Sequence, residues 1–311
     1  MPHDERRRAS KIKIGTFASV IRSFMTSPKF LNYAPATRDA WARELKLAER
    51  IDTLGAISTD VIRPPLIQAF LDGLSDRPAK QANARTAIKA LERWALVRDI
   101  LPFPITTGTE IIGSDGGHIP WSDEQVELAE THARPEMARA VTLAANTGQR
   151  GSDLVKMRWT DIEVYGGRPG INVKQQKTGK VLWIPFTLPL QAAFATWERR
   201  PGFILVKANG EGFSRKHLSN DWLRERDTNP ALEPLRASQE RHGLVMHGLR
   251  ATAVVRLRRD GATIPQICDM VGMSKETVEI YCRHSEQREN ALAAVLHLDR
   301  TAREQRKMKD R

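Results

Sequence analysis

Between two stretches of helical periodicity lies IEVYGGRPGINVKQQKTGKVLWIP, residues 162–185. Its β-type runs at 162–165, 171–175 and 181–185 are parted by Gly-Gly-Arg-Pro-Gly and by Lys177-Thr178-Gly179-Lys180, loops short and glycine-bearing enough for hairpins. The stretch therefore predicts a small antiparallel meander. Downstream, helical runs are expected at 189–199, 215–226, 247–259, 265–271, 275–281 and 289–298. Upstream, Gly148 separates a helix at 135–146 from a turn or helix at 152–157. The fold class that follows is mainly α with a small antiparallel β-sheet.

Nearer the N-terminus, Trp121-Ser122-Asp123-Glu124-Gln125 opens a further helix at 123–131, with Ser122 as N-cap and Gln125 at the capping-box position. Before it, LPFPITTGTEIIGSDGGH (101–118) gathers Pro, Gly, Ser and Thr and loses periodicity, as an interdomain connection does. The first hundred residues predict helices at 14–24, 36–52, 62–71 and 79–97. In the second of these, Ala40, Trp41, Leu45, Leu47 and Ile51 recur at helical spacing, with Arg38, Arg43, Lys46 and Arg50 between them. The expected organisation is a basic helical domain at 1–105, a linker at 106–118 and a second domain at 119–299. A tail at 300–311, with six cations against Glu304 and Asp310, reads as solvated or disordered.

A chain of 311 residues is long enough for two such domains. No apolar run approaches the roughly 18 residues of a membrane-spanning helix, and the basic start lacks a secretory apolar region. The expected location is the cytoplasm, with no membrane partner. Cys268 and Cys282 are too few for a disulfide framework and stand in no metal-ligand spacing, so neither a structural metal nor a cofactor is expected. Lys plus Arg total 49 against 37 Asp plus Glu, and the net charge of +12 favours a polyanionic partner, nucleic acid first.

Within the second domain several side chains stand where chemistry could use them. His247-Gly248-Leu249-Arg250 puts an imidazole and a guanidinium one turn apart, at a helix start whose free N–H groups also favour a phosphate. The same spacing recurs at His3/Arg6 and His297/Arg300, and a capping or core histidine is the alternative for His247. Arg150 could form a helix-start ion pair with Asp153, and Lys177 could be a turn lysine in water. Tyr281, one of three tyrosines with Tyr33 and Tyr165, lies on a short helix crowded by Lys275, Glu276, Glu279 and Arg283.

Taken in order, Arg150, Lys177, His247, Arg250 and Tyr281 resemble the catalytic series of the tyrosine recombinase (phage integrase) family. Thr147-Gly148-Gln149-Arg150-Gly151-Ser152-Asp153-Leu154, followed by Arg158-Trp159-Thr160-Asp161-Ile162, is similar to the family's first arginine box. Gln176-Lys177-Thr178-Gly179-Lys180 sits on the hairpin where the family carries its lysine, His247 to Ala253 resembles the second box, and Val271-Gly272 leads toward the tyrosine. The resemblance implies a helical core-binding (DNA-binding) domain followed by an α+β catalytic domain. It further implies a site-specific recombinase or integrase that cuts and rejoins double-stranded DNA through a covalent 3′-phosphotyrosyl intermediate, as a homotetramer on two sites. The 289–298 helix would pack on a neighbour.

On that resemblance Tyr281 is the nucleophile, and Arg150 and Arg250 stabilise charge on the phosphate. Lys177 protonates the leaving 5′-oxygen and His247 takes or relays the tyrosine proton, without metal or ATP. Asp153 orients the site. Two departures stand out. Met273 occupies the position where the family usually has His or Trp, and a thioether donates no hydrogen bond, so Lys275 or His284 is expected to substitute or strand transfer to be slow. Tyr281 follows Met273 by eight residues, one fewer than the commonest spacing. Two competing readings are a DNA-binding protein on the same scaffold with weak or lost catalysis, and a type IB topoisomerase-like relaxing enzyme.

Overall fold

The computed structural model describes residues 13–50, 52–113, 118–238, 242–282, 291, 294–296 and 298–300. The chain divides between Gly116 and Gly117 into two compact units. Prolines decide where many helices begin. Pro28, Pro35, Pro64, Pro78, Pro135, Pro189 and Pro265 each stand in the first turn of a helix, where a missing N–H leaves no bond unmade.

The first unit holds α1 (Phe17–Thr26), α2 (Pro28–Leu31), α3 (Pro35–Ala48), α4 (Pro64–Asp72) and α5 (Pro78–Leu96). The α3 helix ends four residues short of the sequence expectation. There the Thr53 hydroxyl donates to the carbonyls of Leu47 and Ala48, and the Gly55 N–H donates to that of Arg50, so the chain turns back on the helix end. Phe17, Ile21, Phe24, Leu45, Ile67, Leu71, Ile88 and Leu91 close the core. The buried Glu92 carboxylate accepts the N–H groups of Ile105 and Thr106, and the Gln68 and Gln81 amides accept those of Glu110 and Ile112, so the chain through Ile112 is tied to this unit.

In the second unit α6 (Asp123–His132) starts on the expected capping box, with both reciprocal bonds between Ser122 and Gln125 formed. It is followed by α7 (Pro135–Thr147), α8 (Gly151–Leu154) and the antiparallel strands β1 (Ile162–Tyr165), β2 (Arg168–Lys174) and β3 (Val181–Pro185), in that order across the sheet. The second strand begins three residues earlier than expected because Gly166 and Gly167 both take positive φ, 57° and 77°, and make a two-residue hairpin turn. Its register pairs Ile171 with Ile162 and Ile184, and the buried Ile171, Val173 and Ile184 join the core of this unit. The remaining helices are α9 (Leu188–Thr196), α10 (Arg215–Thr228), α11 (Gly248–Arg259), α12 (Ile264–Val271) and α13 (Lys275–Cys282). Short 3-10 turns at Trp159–Asp161 and Pro230–Leu235 were not expected. Residues 301–311 of the tail and much of the 289–298 helix lie outside the described residues. Among the described residues no helix is long and apolar enough to cross a membrane.

Two glycines bring the site together. Gly148 caps α7 and Gly272 caps α12, both left-handed with φ of 62° and 66°. A Cβ on Gly148 would stand 2.8 Å from Val271 Cγ1 and 3.1 Å from Ala253 Cβ, so the ends of α7 and α12 and the body of α11 meet there with no room for a side chain. Gly148→Ala is expected to cost about 1–2 kcal/mol from backbone strain, with steric overlap added. Urea unfolding checks this: the midpoint should fall at unchanged slope, and an unchanged midpoint would refute the contact.

Candidate active site

The turn out of α7 carries Gly148, Gln149 and Arg150, and each is committed to a different part of the unit. The Gly148 carbonyl accepts from Arg250 Nη1. The Gln149 amide donates to the carbonyl of Thr147 at 3.1 Å and to that of Val271 at 3.4 Å. The half-buried Arg150 donates from Nη1 to Gln175 Oε1 at 3.3 Å. Its expected alternative, an ion pair with Asp153, does not form. Asp153 is buried and turned instead to the hairpin, where Oδ1 accepts the Gln176 N–H at 2.8 Å.

Arg250 lies in the first turn of α11, 2 % exposed, and its Nη2 is buried without a hydrogen-bond partner. Burial pushes its pKa down to about 10, and the nearby Arg150 charge pushes the same way, while Asp153 and Tyr281 oppose. The guanidinium stays charged at neutral pH. Among the described residues neither Arg150 nor Arg250 is in an ion pair, although Arg134, Arg226, Arg256 and Arg259 of the same unit are all neutralised by carboxylates. Two like charges held close, with Asp153 offsetting them only in part, cost free energy that a bound anion would lower further.

His247 is the N-cap of α11. Burial is the largest cause lowering its pKa, to about 4, and His118, Arg250, Arg150 and Arg215 add to it in that order, so the imidazole is neutral at pH 7. His118 meets it edge to face, with ring centroids 4.5 Å apart. Gly248 permits the chain just after His118 to pass close, because a Cβ there would run into the Ile119 carbonyl oxygen and lie 2.8 Å from Trp121 Nε1. The same segment is stitched to α11 by the Trp121 N–H, which donates to Thr252 Oγ1 at 2.7 Å. Nothing in the sequence marked His118, which lies in a stretch of connection-like composition.

Tyr281 is 8 % exposed and packs in a small cluster with Ala251, Val254, Ile267, Val271, Met273 and Val278. Its helix is thereby held on α11, within electrostatic reach of Arg250. Met273 is buried in that cluster. Of the two expected substitutes, Lys275 is exposed and lies 3.8 Å from Glu279, and His284 lies outside the described residues. Lys177 is exposed at the tip of the β2–β3 hairpin, and no hydrogen bond or ion pair engages its ammonium among the described residues. Arg150, His247, Arg250 and Tyr281 are thus brought together, whereas Lys177 bonds to none of them among the described residues, and its hairpin reaches Arg150 through Gln175 and Asp153 through Gln176.

Gln175 was missed by the sequence reading. It is 1 % exposed and, one residue past the end of β2, continues the inward phase of Ile171 and Val173, so a buried amide was legible from the alternation.

Comparisons with known proteins agree with this architecture. The sequence pattern of the phage integrase family matches residues 123–288, more than half the chain. The chain belongs to that family, the tyrosine recombinases. Among solved structures it is similar to a lambda integrase dimer bound to a COC′ core site, at a TM-score of 0.69 and 19% identity, over 84% of this chain and 97% of that one. The Tn1549 transposon integrase in complex with transposon right end DNA gives a TM-score of 0.70 and 15% identity over 92% and 99%. A lambda integrase tetramer bound to a Holliday junction gives 0.67 and 20% over 88% and 82%. No curated protein sequence matches significantly.

The His247 environment fixes a pH dependence. Its native pKa of about 4 lies below the ordinary 6.5, so the unfolded chain binds the proton more readily than the native one. Stability from this group is complete above about pH 6.5 and is lost as pH falls toward about 4. The thermal midpoint of His247→Gln should therefore decline less steeply than that of the wild type across this window. Equal slopes would show that the imidazole is not held neutral.

Proposed function

We propose that the protein is a site-specific DNA recombinase or integrase that cuts and rejoins strands through a 3′-phosphotyrosyl intermediate. The observation that carries this reading is that Arg150 and Arg250 form no ion pair among the described residues while Tyr281 packs in one cluster with Ala251, the residue after Arg250. The two guanidiniums form a receptor for a phosphodiester on the path of a phenolic nucleophile. In the step itself, the Tyr281 hydroxyl oxygen bonds to phosphorus as the bond from phosphorus to the 5′-oxygen breaks. The energy of the ester is retained and returned when another strand's 5′-hydroxyl attacks. Charge accumulating on the non-bridging oxygens is met by Arg150 and Arg250 through charge-assisted hydrogen bonds.

His247, neutral at pH 7, is able to accept the tyrosine proton, and the approach of a phosphate anion raises its basicity by countering the cations around it. Lys177 supplies a proton to the departing 5′-oxygen, which leaves otherwise as a strongly basic alkoxide. Asp153 orients the hairpin through the Gln176 N–H. No cofactor or metal enters the scheme.

Double-stranded DNA is the partner this scheme calls for, and the net charge of +12 favours such a polyanion. The basic helical first unit is read as the core-binding domain, the assembly as a homotetramer on two sites, and the place of action as the cytoplasm. One observation favours the second reading, binding with weak catalysis: Met273 is buried and brings no donor to the phosphate.

A nicked suicide substrate separates the two readings. A covalent protein–DNA adduct should form, should vanish in Tyr281→Phe and should be indifferent to chelator. Sequence-specific binding with no adduct would leave only the DNA-binding protein. Arg250→Lys should slow adduct formation by about 10²-fold or more, because an ammonium cannot reproduce the fork. A rate within a few-fold of wild type would remove Arg250 from the phosphate.

A further inference from the structure

We propose that Gln175 is a positioning residue whose side-chain amide sets the lysine hairpin against the first arginine box and the chain that leads to the tyrosine. The proposal rests on the reading of Lys177 as the proton donor. All four bonding positions of the amide are used. Oε1 accepts from Arg150 Nη1 at 3.3 Å and from Thr178 Oγ1 at 2.8 Å, while Nε2 donates to Gln149 Oε1 at 2.8 Å and to the Val271 carbonyl at 3.0 Å. An amide has two acceptor and two donor positions, and the opposite orientation would set NH2 against a guanidinium and oxygen against a carbonyl, so only one orientation fits.

The backbone of the same residue closes the turn. Its N–H donates to the Lys180 carbonyl at 2.8 Å and its carbonyl accepts the Gly179 N–H at 2.8 Å, while Gln176 is held by Asp153. Lys177, between these anchors, makes no side-chain bond of its own among the described residues, so the backbone alone aims it. On the other side of the amide, a Cβ on Gly272 would come 2.5 Å from Gln175 Nε2, so the start of the Gly272-Met273 segment is shaped around it. One buried amide thereby ties the Lys177 turn to Arg150 and to the segment before Tyr281. It touches none of the reacting atoms and acts through Lys177.

The test compares two nicked substrates, one with the natural 5′-oxygen at the scissile phosphate and one with sulfur in its place. With oxygen, the Lys177 ammonium gives up a proton as the bond breaks and is left as the amine. With sulfur, the leaving group departs as a stable thiolate and needs no proton. The readout is the ratio of cleavage rates, oxygen over sulfur.

Lys177→Ala should lower that ratio. Gln175→Met, which keeps length and removes every hydrogen bond, should lower it by about tenfold or more, since a displacement of about 1 Å can cost up to 10²-fold. Added to Lys177→Ala it should lower the ratio no further. Thr178→Val, on the exposed turn, removes one of the four bonds without disturbing the core. It should shift the ratio less and in the same direction, and it decides the matter if Gln175→Met does not fold.

A merely structural Gln175 slows both substrates alike, and a wild-type ratio in Gln175→Met, or in Thr178→Val, overturns the proposal. If Lys177→Ala shifts the ratio and Gln175→Met does not, only this proposal falls. If Lys177→Ala leaves the ratio unchanged, Lys177 is not the acid and both readings fall together.

Discussion

A guanidinium cannot shed its charge, so burying one obliges the protein to build around it. Arg250 is that obligation here. It is nearly sealed from solvent and its Nη1 is satisfied by a main-chain carbonyl, that of Gly148, rather than by a carboxylate. The choice has consequences in both directions. Because the acceptor is neutral, the positive charge remains available to an anion. Because the acceptor is Gly148, the helix carrying Arg250 must approach the end of α7 closely, and the left-handed glycine with no Cβ is what allows Val271 and Ala253 to fill the remaining space.

Arg150, two residues after Gly148, is brought beside Arg250 by the same turn, and its charge depresses the Arg250 pKa. The small apolar cluster of α11, α12 and α13 adds the tyrosine by ordinary packing: Val278 and Tyr281 lie against Ala251 and Val254, one and four residues beyond Arg250. Electrostatic cost is concentrated in the centre and offset by the apolar burial around it. The amide of Gln175 then joins the sheet to this assembly, so the hairpin is not an independent arm.

Much of this was legible in advance. The glycine-punctuated strands gave the meander, the Ser122–Gln125 box gave the start of α6, and the ordered arginines, histidine and tyrosine pointed to the family to which the chain belongs. The errors at element ends have local causes. Pro35 and Pro78 open helices expected to begin one residue later, and Gly166-Gly167 makes a turn of two residues in place of the longer loop the sequence predicts. What could not be read were contacts across the chain: His118 against His247, and the absence of an Arg150–Asp153 pair because Asp153 is turned to Gln176.

By itself, the sequence determined the class of fold and the family and supplied the candidate residues for the site, because each depends on residue types at short or ordered spacing. Only the tertiary structure decided which cations go unpaired, which imidazole is kept neutral and which amide holds the lysine hairpin. Those properties arise from groups between about 25 and 130 positions apart sharing one poorly solvated volume, where a partner's identity and distance, rather than its place in the chain, set the energy.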